Sequence, residues 1–180
     1  LRFGTRVGPC TVVIFGANGD LTVRKLVPAL YSLAHERKLP PEFAVIGISR
    51  TEYSNEKFRQ SMRKGVEEFS DTPLDEAVWE DFARRLFYLS GNLKEQKLYQ
   101  DLKAELERRE AENHTGGNVL FYLSISPNLY ESTAEGLGKS GLSRGEGWRR
   151  LVVEKPFGTD LDTSRKLSDA IHEHFDESDV

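Results

Sequence analysis

The chain has 180 residues, 25 of them basic and 29 acidic, and this net charge of −4 argues against binding to the phosphate backbone of nucleic acid. The single cysteine, Cys10, excludes an internal disulfide and favours a reducing compartment. No apolar run approaches the roughly 18 residues of a membrane-spanning helix, so we expect one cytoplasmic domain that contacts neither nucleic acid nor a membrane.

Short apolar runs alternate with longer segments of helical periodicity along the chain. The apolar runs predict strands at residues 11–15, 43–49, 86–89, 119–125 and 151–153. Helices are predicted at residues 21–37, from Ser54, from Thr72, at 94–112, from Ser126 and at 159–175. Because strands that alternate with helices pair in parallel, the pattern predicts a doubly wound α/β fold, Rossmann-like, with a mainly parallel sheet.

Three local features carry further structural expectations. Pro28 lies inside the first predicted helix, where a proline removes a hydrogen bond, so we expect a bend there. Thr72 is predicted to begin a helix with Pro73 at its first position and Asp75 closing a capping box. The segment 136–147 is rich in glycine and serine and is predicted to be a mobile loop.

The first strand is followed directly by Gly16-Ala17-Asn18-Gly19-Asp20-Leu21, which opens the first helix. Gly16 permits a sharp turn, Gly19 lets a diphosphate approach the backbone, and the helix N-terminus offers free N–H groups to the anion. The spacing departs from G-x-G-x-x-G, and an ordinary turn with Asp20 as the helix cap is the alternative. The position after the first strand favours a dinucleotide site, to which Lys25 either contributes or stays a solvated lysine.

The second strand ends in Ser49-Arg50-Thr51, and its charge bears on which dinucleotide is bound. In this fold an acid at that place holds the free ribose of NAD, whereas an arginine meets the 2′-phosphate of NADP. Arg50 can grip a phosphate with two parallel hydrogen bonds, aided by the hydroxyls of Ser49 and Thr51. A surface arginine is the alternative, and we predict NADP.

The fifth predicted strand ends in Glu154-Lys155-Pro156-Phe157-Gly158. Lys155 can place its ammonium group against a phosphate or a sugar hydroxyl, and Pro156 would make the turn rigid. Taken alone, the segment is equally a strand-end turn with a solvated lysine.

With these strand ends, the sequence resembles the glucose-6-phosphate dehydrogenase family from about residue 11 to residue 180. The motifs stand in the family's order and spacing, and the first and last of them together are highly specific. The segments that carry the resemblance are Phe15-Gly16-Ala17-Asn18-Gly19-Asp20-Leu21, Gly47-Ile48-Ser49-Arg50, Phe121-Tyr122-Leu123-Ser124 and Val152-Val153-Glu154-Lys155-Pro156-Phe157-Gly158.

The resemblance implies an enzyme that oxidises glucose 6-phosphate at C1 to 6-phosphogluconolactone and passes the hydride to NADP, in the first step of the oxidative pentose phosphate pathway. It implies that residues 16–21 cradle the diphosphate and that Arg50 meets the 2′-phosphate. Asn92 would lie near the adenosine and Tyr122 would border the cofactor. Lys155 would touch both the nicotinamide side and the sugar phosphate, and Lys25 would lie towards the active site.

The same resemblance implies that the catalytic base, a histidine held by an acid, belongs to a second α+β domain that the printed residues do not include. None of the four histidines replaces it, because His35, His114, His172 and His174 flank helix ends and lack metal-ligand spacing. Cys10 is predicted to be a buried, inert thiol. Family members associate as homo-oligomers through the second domain, so we expect residues 1–180 to form a monomeric NADP-binding domain without catalytic residues or activity of its own.

Two other functions remain open from the sequence. The sugar dehydrogenases that resemble glucose–fructose oxidoreductase also carry Glu-Lys-Pro after a late strand, although their first loop is usually G-x-G. A non-catalytic NADP-binding module would use the cofactor site only for structure or sensing. Continuation of the reading frame into an Arg-Ile-Asp-His-like segment would favour the enzyme over the module.

Overall fold

The computed structural model describes residues 8–153, which form a parallel sheet with helices on both faces. The strands are β1 (Cys10–Phe15), β2 (Phe43–Ser49), β3 (Leu86–Ser90), β4 (Val119–Leu123) and β5 (Arg149–Val153). The helices are α1 (Val27–His35), α2 (Asn55–Phe69), α3 (Glu76–Ala83), α4 (Gln96–Asn113) and α5 (Tyr130–Lys139).

The five strands pair in the order β3-β2-β1-β4-β5, and every pair is parallel. The doubly wound α/β prediction is therefore confirmed, and the predicted strands agree with the observed ones to within two residues at each end. The predicted helix 159–175 lies outside the described residues. Within residues 8–153, no helix is both long and apolar enough to cross a membrane.

The core lies on both faces of the sheet, which explains why the strands are apolar without alternation. Val12 and Ile14 of β1 pack in one buried cluster with side chains of α1, α2 and α3. Val13 and Phe15 point to the opposite face, where α4 and α5 supply the other cluster. Because helices cover both faces, ligands can reach the sheet at the ends of its strands, where the loops can hold them.

The first helix differs from the prediction at Pro28. A π-helical turn, Thr22–Leu26, precedes α1, and the N–H of Val27 donates to the carbonyl of Thr22. Pro28 is then in the first turn of α1, where its missing N–H costs no α-helical hydrogen bond. The helical backbone is continuous from Asp20 to His35, which confirms the helix predicted over 21–37 to within two residues at each end. The chain accommodates the proline by changing helix type, and the bend expected at Pro28 stays a prediction.

Two other local predictions need correction. The helix expected from Thr72 begins later, because the Asp75 carboxylate is itself the cap and accepts from the N–H groups of Ala77 at 2.9 Å and Val78 at 3.2 Å. The first residues of the predicted loop 136–147 belong to α5, and Gly136 is buried there. A Cβ at Gly136 would lie 2.2 Å from the Tyr99 ring, so this glycine serves helix packing.

The turn after β1 is the place where the fold requires a glycine. Gly16 has a φ of +93°, and a Cβ built on it would lie 2.0 Å from the carbonyl oxygen of Ser124. The N–H groups of Gly16 and Ala17 donate to the Ile48 carbonyl at 2.9 and 3.0 Å. The turn is thus wedged between the ends of β2 and β4, and both the backbone angle and the contact with Ser124 demand a residue without a side chain.

The substitution Gly16→Ala should therefore lower the free energy of unfolding by more than about 2 kcal/mol, because it adds a strained backbone angle to a clash with the Ser124 carbonyl. Urea denaturation followed by circular dichroism measures this change. Gly8→Ala is the matched control, since a Cβ at Gly8 meets nothing within 4 Å. Equal stability of the two variants would show that the turn does not require a glycine at position 16.

Candidate functional site

A cavity of about 280 Å³ opens at the carboxyl ends of the strands, over the turn that follows β1. It receives residues that follow β1, β2, β3 and β4, so the topology alone brings together parts of the chain that are distant in sequence. Its lining consists of Gly16, Asn18, Ile48, Ser49, Arg50, Thr51, Gly91, Leu93, Ile125 and Leu129. This is the edge at which a doubly wound sheet binds its ligands.

The structure does not require a glycine at position 19 in the way that it requires one at position 16. Its φ lies outside the left-handed region, and a Cβ there would meet only the Gly16 carbonyl oxygen, at 3.3 Å. The missing side chain leaves open space in front of the turn. Helical conformation begins at Asp20, so the first N–H groups beyond the turn have no acceptor within the helix. An anion that approaches Gly19 would meet these donors and the positive end of the helix.

Asp20 does not cap this helix as the alternative interpretation required. It is already helical, and its exposed carboxylate lies 3.7 Å from the guanidinium of Arg24. The hydroxyl that closes the turn belongs instead to Thr22, which is buried and donates to the Gly16 carbonyl at 3.0 Å. The N–H of Gly19 donates to the same carbonyl at 3.0 Å.

The segment after β2 presents a single charged group to the cavity. Arg50 is exposed, and over residues 8–153 no side-chain hydrogen bond or ion pair engages its guanidinium. Next to it, the Thr51 hydroxyl accepts from the Asn18 side-chain amide at 3.0 Å. The structure thus brings together three predicted site residues, Gly16, Asn18 and Arg50, around one opening.

The other predicted residues occupy different surroundings. Ala17 is buried, Leu21 is partly buried against the core, and Lys25 is exposed on the π-helical turn, outside the cavity lining. Asn92 lies between Gly91 and Leu93, which line the cavity, but its side-chain carbonyl oxygen accepts from the N–H of Lys94 at 2.9 Å.

Tyr122 is buried in β4 within the cluster on the α1–α3 face. The contacts of Asn92 and Tyr122 with a cofactor stay predictions, as does the approach of Lys25 to the active site. Lys155 and the rest of segment 154–158 lie outside the described residues.

Sequence reasoning missed the apolar wall and one tyrosine of the site. Leu93, Ile125 and Leu129 line the cavity but follow strands without any charged or glycine-rich motif. Tyr88, on β3, places its hydroxyl against Ser49 and Thr51, and burial raises the pKa of this phenol above its usual value. Only their position after strand ends could have pointed to the three apolar residues, and Tyr88, in the middle of β3, offered no such signal.

The remaining nucleophiles and ligand types do not form a site in the described part of the chain. Cys10 is buried in β1, and burial raises the pKa of its thiol to about 12, which keeps it protonated at neutral pH. Between residues 8 and 153, no three His, Cys, Asp or Glu side chains stand close enough to hold a metal ion.

A family model and curated relatives place the chain in one family. Residues 13–180 match the family model of the "Glucose-6-phosphate dehydrogenase, NAD binding domain". The glucose-6-phosphate 1-dehydrogenase of Chlamydia pneumoniae is 45% identical over 177 residues, which are 96% of this chain and 35% of that protein. A glucose-6-phosphate 1-dehydrogenase of Mycobacterium bovis is 40% identical over 175 residues, covering 96% of this chain and 34% of the relative.

Solved structures agree with these relatives. A glucose-6-phosphate dehydrogenase in complex with its substrate superposes with a TM-score of 0.85 at 32% identity, over 97% of this chain and 36% of that one. The enzyme from Mycobacterium avium gives a TM-score of 0.82 at 30% identity, over 95% of this chain and 35% of that one. The chain spans about a third of the length of the relatives it matches, and over nearly its whole extent it belongs to the glucose-6-phosphate dehydrogenase family, as a dinucleotide-binding domain.

Proposed function

We propose that this chain is the NADP-binding domain of an enzyme that oxidises D-glucose 6-phosphate to 6-phospho-D-glucono-1,5-lactone, with NADP as the hydride acceptor. The observation that carries the proposal is the unpaired, exposed Arg50 at a cavity whose floor is the glycine turn after β1. Family membership supports a dinucleotide, and it decides against the alternative of a glucose–fructose oxidoreductase-like enzyme.

The cavity and the turn beside it fit a dinucleotide in three separate ways. The open space at Gly19 and the free N–H groups of the first helical turn suit the diphosphate. The guanidinium of Arg50 suits the 2′-phosphate that distinguishes NADP from NAD. The apolar side chains of Leu93, Ile125 and Leu129 suit the flat face of a base.

Within residues 8–153, neither histidine is placed to act as a base on the C1 hydroxyl of a substrate at the cavity. In a parallel sheet, a helix between two strands returns the chain to the amino edge, where the next strand begins. His35 ends α1 before β2 begins, and His114 follows α4 before β4 begins. Both histidines of residues 8–153 therefore lie at the amino ends of the strands, opposite the cavity. The bound nicotinamide supplies the hydride-accepting carbon, and this part of the chain binds and orients it.

We propose the remaining roles for the complete protein. Its second domain supplies the histidine and acid, and Lys155 and Lys25 contact the sugar phosphate. The enzyme acts in the cytoplasm at the start of the oxidative pentose phosphate pathway and assembles as a homo-oligomer through the second domain, whereas residues 1–180 alone are monomeric.

Calorimetric titration of the 180-residue chain with NADP and NAD tests the cofactor proposal. NADP should bind about tenfold or more tightly than NAD, since a charge-assisted hydrogen bond contributes roughly 1.5–3 kcal/mol. Arg50→Ala should abolish the difference by weakening NADP alone. Arg144→Ala is the matched control, because it removes the same charge from an exposed loop outside the cavity lining. Equal affinities for both nucleotides in the unaltered chain would refute the role of Arg50.

The variant Gly19→Ala separates the binding role of the turn from its structural role. We expect its free energy of unfolding to stay within about 1 kcal/mol of the original, because the backbone angle suits alanine. Its affinity for both nucleotides should fall about tenfold or more, since the methyl group takes the space proposed for the diphosphate. Unchanged affinity in calorimetry would place the diphosphate elsewhere.

The isolated chain should not turn over substrate. With glucose 6-phosphate and NADP present, we expect no NADPH absorbance above background, because the described residues supply no base at the cavity. A complete glucose-6-phosphate dehydrogenase assayed in parallel is the positive control. Steady turnover by the purified chain would show that residues 1–180 contain the catalytic groups.

A further inference from the structure

We propose that Tyr88 is a positioning residue that gives the Arg50 segment its preference for NADP, an inference that rests on the proposed function of that segment. Tyr88 lies on β3, the edge strand next to β2, and is not part of the cavity lining. Its hydroxyl nevertheless reaches the residues on both sides of Arg50.

The hydroxyl of Tyr88 belongs to a closed ring of hydrogen bonds around Arg50. It donates to the carbonyl of Thr51, which leaves it as the acceptor towards the Ser49 hydroxyl. The Ser49 oxygen in turn accepts from the N–H of Thr51 at 3.3 Å. Each donor is used once and the direction is the same throughout, so the bonds polarise and strengthen one another.

Tyr88 is itself held firmly from several sides. Its ring packs between Tyr53 and Phe58, with 5.2 Å between ring centres in each pair. Its N–H donates to the side-chain carbonyl of Asn55 at 2.8 Å, at the start of α2. Its strand partner is Gly47, whose missing side chain leaves the room that the Phe58 ring fills. A hydroxyl anchored in this way can fix the backbone it contacts.

Arg50 depends on that backbone, because its guanidinium has no partner of its own among residues 8–153. With Ser49 and Thr51 both tied to Tyr88, the arginine leaves the sheet in one direction, towards the cavity. A group held in its binding position before the ligand arrives loses less conformational entropy on binding.

The test is calorimetric titration of Tyr88→Phe, which removes the hydroxyl and keeps the ring. NADP affinity should fall about three- to tenfold, the effect of lost neutral hydrogen bonds, while NAD affinity stays unchanged. In an Arg50→Ala background the same substitution should change neither affinity, because the group it positions is gone. Tyr53→Phe is the matched control, since it removes a neighbouring hydroxyl outside the ring of hydrogen bonds.

The possible results distinguish the role of Tyr88 from the proposed function of Arg50. If the unaltered chain shows no preference for NADP, the proposed function of Arg50 fails, and this inference fails with it. If the chain prefers NADP and Tyr88→Phe keeps the full preference, only the inference on Tyr88 is overturned. An equal loss of NADP and NAD affinity would also overturn it, because that pattern reports general damage to the fold.

Hydrogen exchange provides a readout that needs no nucleotide. The Thr51 amide is protected through Ser49, so its exchange should become faster in Tyr88→Phe and also in Ser49→Ala, which opens the ring at another point. Exchange of the Val13 amide, in the core of β1, should stay slow in both variants. Unchanged exchange at Thr51 in both variants would show that the hydroxyl does not hold this segment.

Discussion

The close contact between the turn after β1 and the end of β4 is the constraint on which the site depends. The backbone of Gly16 lies against the Ser124 carbonyl, while the N–H groups of Gly16 and Ala17 are bound by the Ile48 carbonyl of β2. The N–H of Ser124 donates to the Phe15 carbonyl at 2.8 Å from the other side. These backbone bonds fix three strand ends relative to one another, so the position of the cavity is set by the sheet itself.

Around the cavity, some polar side chains form hydrogen bonds that hold the loops, and others have no partner in the described residues. The hydroxyls of Thr22, Ser49 and Tyr88 all have protein partners and close their loops internally. Arg50 and the space before Gly19 have no such engagement in the described residues. Because an unpaired guanidinium at the surface keeps its full capacity for hydrogen bonding, this division is what a preformed phosphate site requires.

The sequence predicted the parts of the fold that depend on local patterns. Continuous apolar runs identified the strands because a parallel sheet covered on both faces buries the side chains of its central strands on both sides, and Ser54 was correctly placed as the cap of α2. Gly16, Asn18 and Arg50 were predicted to lie near one another because the carboxyl ends of parallel strands meet at one side of the sheet, and all three line the cavity. These inferences need only the order of elements along the chain.

What the sequence did not predict falls into two groups. The π-helical turn before Pro28 and the cap at Asp75 are local, and each replaced an equally acceptable local pattern. The others depend on contacts between residues that are distant in sequence. Tyr88 resembles an ordinary strand aromatic until β3 is paired with β2, when its hydroxyl reaches Ser49. Gly136 has the composition of a loop, but the Tyr99 ring makes a glycine necessary inside α5.

The carboxyl ends of the strands (the carboxyl edge) and their amino ends (the amino edge) carry different groups. This difference bears on where the proposed enzyme binds its cofactor and where its base can come from. The carboxyl edge carries a glycine turn, free N–H groups and the unpaired guanidinium of Arg50, all of which suit a dinucleotide that carries phosphates. The histidines of the described chain lie at the amino edge, because each ends a helix that has returned across the sheet. Under the proposed function, a histidine that accepts the proton of the substrate would therefore have to come from outside residues 8–153. Parallel pairing of the strands thus accounts for both observations, because it gathers the free donors at one end of the strands and carries these histidines to the other.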